Sequence, residues 1–355
     1  MNKIEILTDT VLENDECFIV SNDVNRFYLT GFKSSAGFIV GFKGVSYFLV
    51  DFRYIEKARS TVKNCVVLLL NSDFFPQLNR LITEHKVKRV LLEAYNTTLF
   101  AFDTYKQKIK DAEISPDTRL SETLAGLRIL KTECEIEKII SAQRIAEKAF
   151  DDVLNTPLKG KTEIEVARLL ENRMYEQGAE AISFETIVLS GENSSMPHGV
   201  PTKKPIGDGF LLFDFGAVYD GYHSDMSRTI FFGEPSELEK NVYDIVLTAQ
   251  IKALNAVSAG IDSKTLDRVA RDYISQSGYG EFFGHSLGHG VGLEIHEEPA
   301  VSEKSNYTLQ EGNVITIEPG IYLPGQFGVR IEDFVYVTHN GYVNITKQSK
   351  ELMTF

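Results

Sequence analysis

The sequence predicts a mixed chain of two domains, a compact α/β module over residues 1–118 followed by an α+β domain over residues 119–355. Three observations lead there. The length, 355 residues, is between two and three times the roughly 150 residues of a single domain. Charge is unevenly divided: Lys+Arg and Asp+Glu number 15 and 15 through residue 118 but 22 and 35 beyond it, so the entire net charge of −13 belongs to the second part. That second part also repeats the order helix, helix, strands, which a pseudo-symmetric domain with sheets inside and helices outside would satisfy.

In the first domain, short β-rich runs at Cys17–Val20, Ala36–Phe42, Ser46–Val50, Cys65–Leu70 and Val87–Glu93 alternate with polar helical stretches. The boundary is expected at Ser115-Pro116-Asp117. Beyond it, Thr132 with Glu135 and Thr162 with Glu165 are capping-box signals for two helices, one running to Leu154 and one ending at Gly178. Strands are then expected at Phe184–Leu189 and over Phe210–Phe232, folded about Asp220-Gly221. Helices are expected at Ser236–Ala259 and Ser263–Ser277, stopped by Gly260 and Gly278, and strands at Phe282–Ile295 and Val314–Val337.

Composition narrows the function. With 43% hydrophobic and 25% charged residues, 26 Gly and 10 Pro, the chain is neither collagenous, low-complexity nor disordered. Its acidic balance argues against a nucleic-acid partner, because phosphate demands a basic footprint. The three cysteines, Cys17, Cys65 and Cys134, are too few and too scattered for a disulfide framework or a Cys-type zinc site. Met1–Val11 carries Glu5 and Asp9 instead of a basic leader, and no window reaches the ~18 apolar residues of a membrane span. A cytoplasmic location with no membrane partner is the expectation.

Four carboxylates sit where solubility cannot account for them. Asp214 lies inside the apolar run Phe210–Phe215, and Asp225 on the return strand of the hairpin turned by Asp220-Gly221. A two-residue loop sets Asp214 opposite Ser227 and diagonal to Asp225, whereas a slip by one sets the two acids face to face. Either way both project from one face. Glu318 in Val314-Ile-Thr-Ile-Glu-Pro-Gly and Glu332 in Gly328-Val-Arg-Ile-Glu-Asp repeat the pattern. Singly each reads as a surface or turn residue; together they place four negative charges in strand cores, a costly arrangement unless cations compensate it. Two divalent ions balance the sum, and hard oxygen donors with one imidazole suit Mn²⁺, Co²⁺ or Zn²⁺.

Histidine supplies the imidazole. Five of the seven histidines fall between His198 and His296. His289 lies in Gly284-His-Ser-Leu-Gly-His-Gly-Val-Gly-Leu-Glu-Ile-His296-Glu, whose glycines disfavour helix and permit close backbone approach. His223 and His339 read as ordinary surface or core residues. Gly284-His-Ser286-Leu-Gly288 matches the serine-hydrolase elbow, with Asp333 and His339 in the right order. The helix that must follow such a serine is excluded by the continuing glycines. His296-Glu297 is no zincin motif, since Ala300 stands where the second histidine belongs.

Asp214, Asp225, His289, Glu318 and Glu332, set in Asp-Phe-Gly, Ser-Asp-Met-Ser-Arg-Thr, Gly-His-Gly-Val-Gly, Ile-Glu-Pro-Gly and Val-Arg-Ile-Glu-Asp, resemble the ligand set of the dinuclear proline peptidases. That group comprises aminopeptidase P and prolidase, with methionine aminopeptidase a cousin. The resemblance implies a pita-bread catalytic domain behind a smaller α/β N-terminal domain, two metal ions with Mn²⁺ foremost, and a homodimer. It further implies that Asp214 chelates one ion, Asp225 and Glu332 bridge, and His289 and Glu318 complete the other. A hydroxide between the ions would attack the peptide, with Glu318 accepting a proton. His198 would position the scissile carbonyl, His296 would donate to the tetrahedral intermediate or leaving group, His285 and Tyr322 would line the site, and Arg330 would orient Glu332.

The substrate implied is a peptide with proline at its second position. Prolidases often carry an arginine four residues past the histidine matching His296, where it pairs with a dipeptide's carboxylate. Here that position is Ala300, which tilts the expectation towards an aminopeptidase acting on longer peptides. Prolidase is the alternative within the class, and a non-catalytic pita-bread binding protein the alternative outside it. Retention of all five ligands speaks against the latter. Creatinase-like chemistry lacks this ligand set, and methionine aminopeptidase lacks such a first domain.

Overall fold

The computed structural model describes residues 2–115 and 117–355. Of the expected boundary Ser115-Pro116-Asp117, Pro116 lies outside the described residues. The chain divides into two compact units, the first ending at Arg128 and the second running from Ile129 to Phe355, so the division falls later than residue 118. The reason lies in the helix Arg119–Ile129, which is bound to the first unit. Leu120 and Leu124 are buried, Arg119 pairs with Glu16 at 3.0 Å, and the Tyr28 hydroxyl donates to the Leu127 carbonyl at 2.8 Å.

The first unit holds a six-stranded mixed sheet in the order Val66–Leu69, Val45–Val50, Phe38–Phe42, Glu16–Val20, Arg89–Leu92, Glu113–Ser115. Its strand Glu16–Val20 is buried at every position, paired antiparallel on one side and parallel on the other. The helices Phe74–Glu84 and Leu99–Lys108 pack Leu78, Leu81, Ile82 and Tyr105 onto Cys17, Ile19 and Val90. This is the α/β module expected.

The second unit opens with Glu133–Leu154 and Glu163–Glu176, each begun by the expected capping box. A second pair, Glu237–Ala256 and Ser263–Gln276, follows. Positive φ at Gly178 (101°), Gly260 (93°) and Gly278 (89°) shows why the chain turns away at these glycines after three of the helices. The first pair packs Phe150, Leu170 and Met174 against Leu211, Phe213 and Ile230 of a three-stranded sheet, Ile187–Ser190, Gly209–Phe215 and Met226–Phe232. The second pair packs Val246, Ala249 and Leu266 against Ile315, Ile317 and Val335 of a five-stranded sheet centred on Val314–Ile317. Helices thus cover sheets twice over.

The hairpin keeps one register throughout: Asp214 pairs with Ser227, and Val218 with His223. Of the two alignments open from sequence, the two-residue turn at Asp220-Gly221 is the one formed. Two expected strands of the second unit are shorter than read. Phe184–Leu189 is extended only from Ile187, and Phe282–Ile295 contains just Gly288–Gly290. The physical reason in the latter is close approach: a Cβ added to Gly288 would lie 2.0 Å from the Thr316 carbonyl oxygen, and one on Gly290 2.4 Å from that of Glu298. These glycines let a short strand squeeze between neighbours while flanking residues loop into the site.

Candidate metal centre

Asp214, Asp225, His289, Glu318 and Glu332 all line one cavity of about 410 Å³ in the second unit. The β-hairpin delivers Asp214 and Asp225, the short strand Gly288–Gly290 delivers His289, and the ends of Val314–Ile317 and Phe327–Arg330 deliver Glu318 and Glu332. One ligand atom from each of Asp225, His289 and Glu332 lies within 4.8 Å of the others. His289 Nε2 is 3.5 Å from Asp225 Oδ2 and 3.4 Å from Glu318 Oε1.

The donor set fits metal ions. His289 Nδ1 faces the Gly290 carbonyl at 3.1 Å, and a carbonyl only accepts, so Nδ1 carries the proton and Nε2 turns its lone pair towards the carboxylates. Burial lowers the His289 pKa to about 4, which keeps the ring neutral. A lone pair facing two carboxylate oxygens is repulsive unless a proton or a metal cation lies between them. Burial, then the neighbouring acids, raises Asp225 and Glu332 well above the usual carboxylate range, and Glu318 is pushed up to about 8. Asp214 Oδ1 and Glu332 Oε1 are buried without a hydrogen-bond partner, as atoms reserved for a cation would be.

This has a pH consequence for metal-free protein. Between the ordinary Glu value of 4.5 and about 8, folded Glu318 holds a proton that the unfolded chain has released. More protons bound in the folded state means stability that declines as pH rises through that window. Metal binding displaces those protons. Below pH 6.5 the neutral buried His285 and His289 act in the opposite direction, so chelator-treated protein is expected to lose melting temperature between about pH 6.5 and pH 8, and metal-loaded protein to be nearly flat. A chelated form that gains stability over that range contradicts this.

The surrounding residues hold the cluster. Arg330, its side chain 3% exposed, donates to Asp214 Oδ2 at 2.7 Å, Ser227 Oγ at 2.8 Å and the Tyr322 hydroxyl at 2.8 Å. The Ser227 hydroxyl in turn donates a hydrogen bond to Glu332 Oε2 at 2.8 Å. Thr316 Oγ accepts from the His289 amide and donates to Glu318 Oε1 at 3.2 Å. His285 Nδ1 donates to the Ser286 carbonyl, so its Nε2 accepts from Tyr322 at 3.0 Å, ending a chain that starts at Arg330. Lysine cannot reach Asp214, Ser227 and Tyr322 together. Arg330→Lys is expected to weaken metal binding about 10- to 100-fold, read by isothermal titration; unchanged affinity would remove Arg330 from this role.

His198, His285, His296 and Arg330 lie on the same cavity, whereas Tyr322, expected to line it, is buried behind His285 and Arg330 and is not among the lining residues. His198 and His296 line its mouth, and the His296 ring stands edge-on to His289 with centroids 4.4 Å apart. The residues set aside behave as expected: no helix follows Ser286, while Asp333 pairs with Arg228 and Lys350. Sequence reasoning did not single out Ser227 and Thr316 as supports. Nor did it find Asp267, which pairs with Arg271 and accepts from the Leu287 amide at 3.0 Å, fixing the loop of His285. The alignment of Ser227 opposite Asp214 was the available signal for the first; the others depend on contacts between distant segments.

Comparison with known proteins agrees with this geometry. Residues 137–339 match the model of metallopeptidase family M24, and residues 13–129 that of the Creatinase/Prolidase N-terminal domain. The Xaa-Pro dipeptidase of Pyrococcus horikoshii is 47% identical over 245 residues, covering 69% of this chain and 70% of that one. The structure of an Xaa-Pro dipeptidase from Bacillus anthracis superposes with a TM-score of 0.95 at 40% identity over 99% of each chain. That of an X-Pro aminopeptidase from Thermotoga maritima gives 0.90 at 37% identity, covering 96% of this chain and 97% of that one. Five convergent metal-type donors, a doubled helix-on-sheet domain of the pita-bread type and these matches lead to one assignment: the chain belongs to metallopeptidase family M24.

Proposed function

We propose that this chain is an Xaa-Pro peptidase that removes the residue preceding proline from a peptide N-terminus. In this reading Asp214, Asp225, His289, Glu318 and Glu332 would together hold two divalent ions. The observation that carries it is the convergence of those five donors, with buried carboxylate oxygens left unpartnered, on one cavity rimmed by His198 and His296. When bound, the two ions supply Lewis acidity towards a peptide carbonyl and a water made nucleophilic near neutral pH.

The chain's own residues do the rest. Glu318, a carboxylate once metal binding has displaced its proton, would accept the proton of the attacking water, and its raised proton affinity suits it to that role. His198 positions the scissile carbonyl, and His296 donates to the departing prolyl nitrogen. His285, kept neutral by burial, forms the wall on the acyl side, and Tyr322, buried and not itself lining the cavity, supports it through their 3.0 Å hydrogen bond. Proline lacks an N–H and has a fixed φ, so a wall of Phe184, Ile187, Val200 and Ile295 can select its ring without a backbone donor's partner.

Longer peptides are the preferred substrates. Among the described residues lining the cavity, Arg330 is the single Lys or Arg, and its guanidinium is committed to Asp214, Ser227 and Tyr322. Ala300 offers no charge to a dipeptide's carboxylate. The dipeptidase names of the Pyrococcus and Bacillus relatives support the second reading, a prolidase. Four carboxylates and one imidazole favour Mn²⁺ as the working ion. Free cysteines support a cytoplasmic setting. Exposed Leu99 and Phe100 in the first unit support self-association, which sedimentation tests.

The deciding assay takes protein stripped by a chelator and reloaded with Mn²⁺, and offers a matched Xaa-Pro dipeptide and an Xaa-Pro-Yaa-Yaa peptide. Cleavage of the longer peptide alone is expected. Cleavage of the dipeptide alone makes the chain a prolidase, and cleavage of neither with metal bound overturns the peptidase reading in favour of a binding protein.

A further inference from the structure

Glu163 opens the helix Glu163–Glu176, and its carboxylate is fully buried at 0% exposure. One oxygen accepts from the Ser190 amide at 2.7 Å and the Ser190 hydroxyl at 3.0 Å. The other accepts from the Thr202 amide at 2.9 Å and the Thr202 hydroxyl at 2.7 Å. The Asn193 side-chain amide donates to both, at 3.0 and 3.1 Å. None of these donors is a cation. A buried carboxylate is costly to place, and here neutral donors and the helix N-terminus offset that cost.

The placement gives this network a purpose. Ser190 and Thr202 are the two ends of the segment 191–201, which contributes Pro197, His198, Gly199, Val200 and Pro201 to the cavity. Inside that segment the backbone bonds are short-range, Met196 to Asn193 and Gly199 to Met196. It has no ladder of its own to hold His198 in place. Glu163 closes the base of the segment, and the Gly328 amide, which donates to Ser194 Oγ at 2.8 Å, pins its middle.

We propose that Glu163 is a positioning residue for His198: it clamps both ends of the cavity-lining segment and thereby sets where the histidine meets substrate. This rests on the reading of His198 as a substrate-contacting group. Glutamine is isosteric with glutamate yet cannot replace it here. Each carboxylate oxygen accepts from a backbone amide, so whichever way a carboxamide is turned, its NH₂ faces an N–H that cannot rotate away.

The test combines Glu163→Gln, His198→Ala and the double variant, each loaded with Mn²⁺ and checked for metal content. A modest misplacement of a substrate-positioning group is worth on the order of tenfold in rate. Glu163→Gln is expected to keep its metal and lose kcat/KM on that order, and to add nothing further in the His198→Ala background. Amide exchange should rise over residues 190–202 while the rest of the chain stays protected. Asn193→Ala, which removes donors without stranding an amide, should show a smaller loss of the same kind should Glu163→Gln fold poorly. Wild-type kcat/KM in Glu163→Gln, losses that add fully to those of His198→Ala, or unchanged exchange over 190–202 each overturn the proposal. A wild-type rate for His198→Ala also overturns it while leaving the peptidase reading intact. Failure of the peptidase reading shows instead as an inactive parent protein.

Discussion

Glu332→Gln is expected to abolish metal binding and catalysis together. Glu332 is 1% exposed, one oxygen accepts from Ser227, and the other is buried without a partner. The amide removes the charge that a bridged pair of cations needs and points an NH₂ at one of two places that require an acceptor, the Ser227 hydroxyl or the cation. Lewis-acid stabilisation by a bound metal contributes several kcal/mol, so kcat/KM should fall on the order of a thousandfold. Metal content by plasma mass spectrometry should fall with it. Two ions per chain and near-normal turnover in this variant would remove Glu332 as a bridging ligand.

Glu318→Gln is expected to separate chemistry from metal affinity. Glu318 sits beside His289 Nε2 at 3.4 Å and takes a hydrogen bond from Thr316. The carboxamide keeps an oxygen for coordination but cannot accept the proton of the attacking water. General-base catalysis contributes about 10²- to 10⁴-fold, and a kcat loss in that range with most of the metal retained is the result expected. A variant that keeps both ions and full activity would take the proton-accepting role away from Glu318.

Much of the site was legible in the sequence because its parts break local rules. Asp214 in an apolar strand, Glu318 and Glu332 in two more, and glycines at alternate positions around His289 have no local reason to exist, so they point to a shared ligand. The hairpin turn even limited the alignment of Asp214 to two choices, and the one formed sets it opposite Ser227. The supporting residues were less legible for a physical reason. Arg330 meets Asp214 across 116 positions and Glu163 meets Ser190 across 27, and nothing local to either residue names its partner. The strand read at Phe282–Ile295 failed on the same ground. Its glycines allow β geometry, but the tight approach to Thr316 and Glu298 confines pairing to Gly288–Gly290 and frees the flanks to loop. The end of the first unit was read early because the helix Arg119–Ile129 chooses its partner through Arg119, Leu120 and Leu124, which composition does not reveal.

The most direct measurement is turnover of an Xaa-Pro-Yaa-Yaa peptide against Mn²⁺ bound per chain, starting from protein stripped of metal. Activity that is absent without metal and reaches its plateau at two ions per chain is the expected result. Full turnover in metal-free protein, or a plateau with no dependence on bound ion, would contradict a dinuclear centre built from Asp214, Asp225, His289, Glu318 and Glu332.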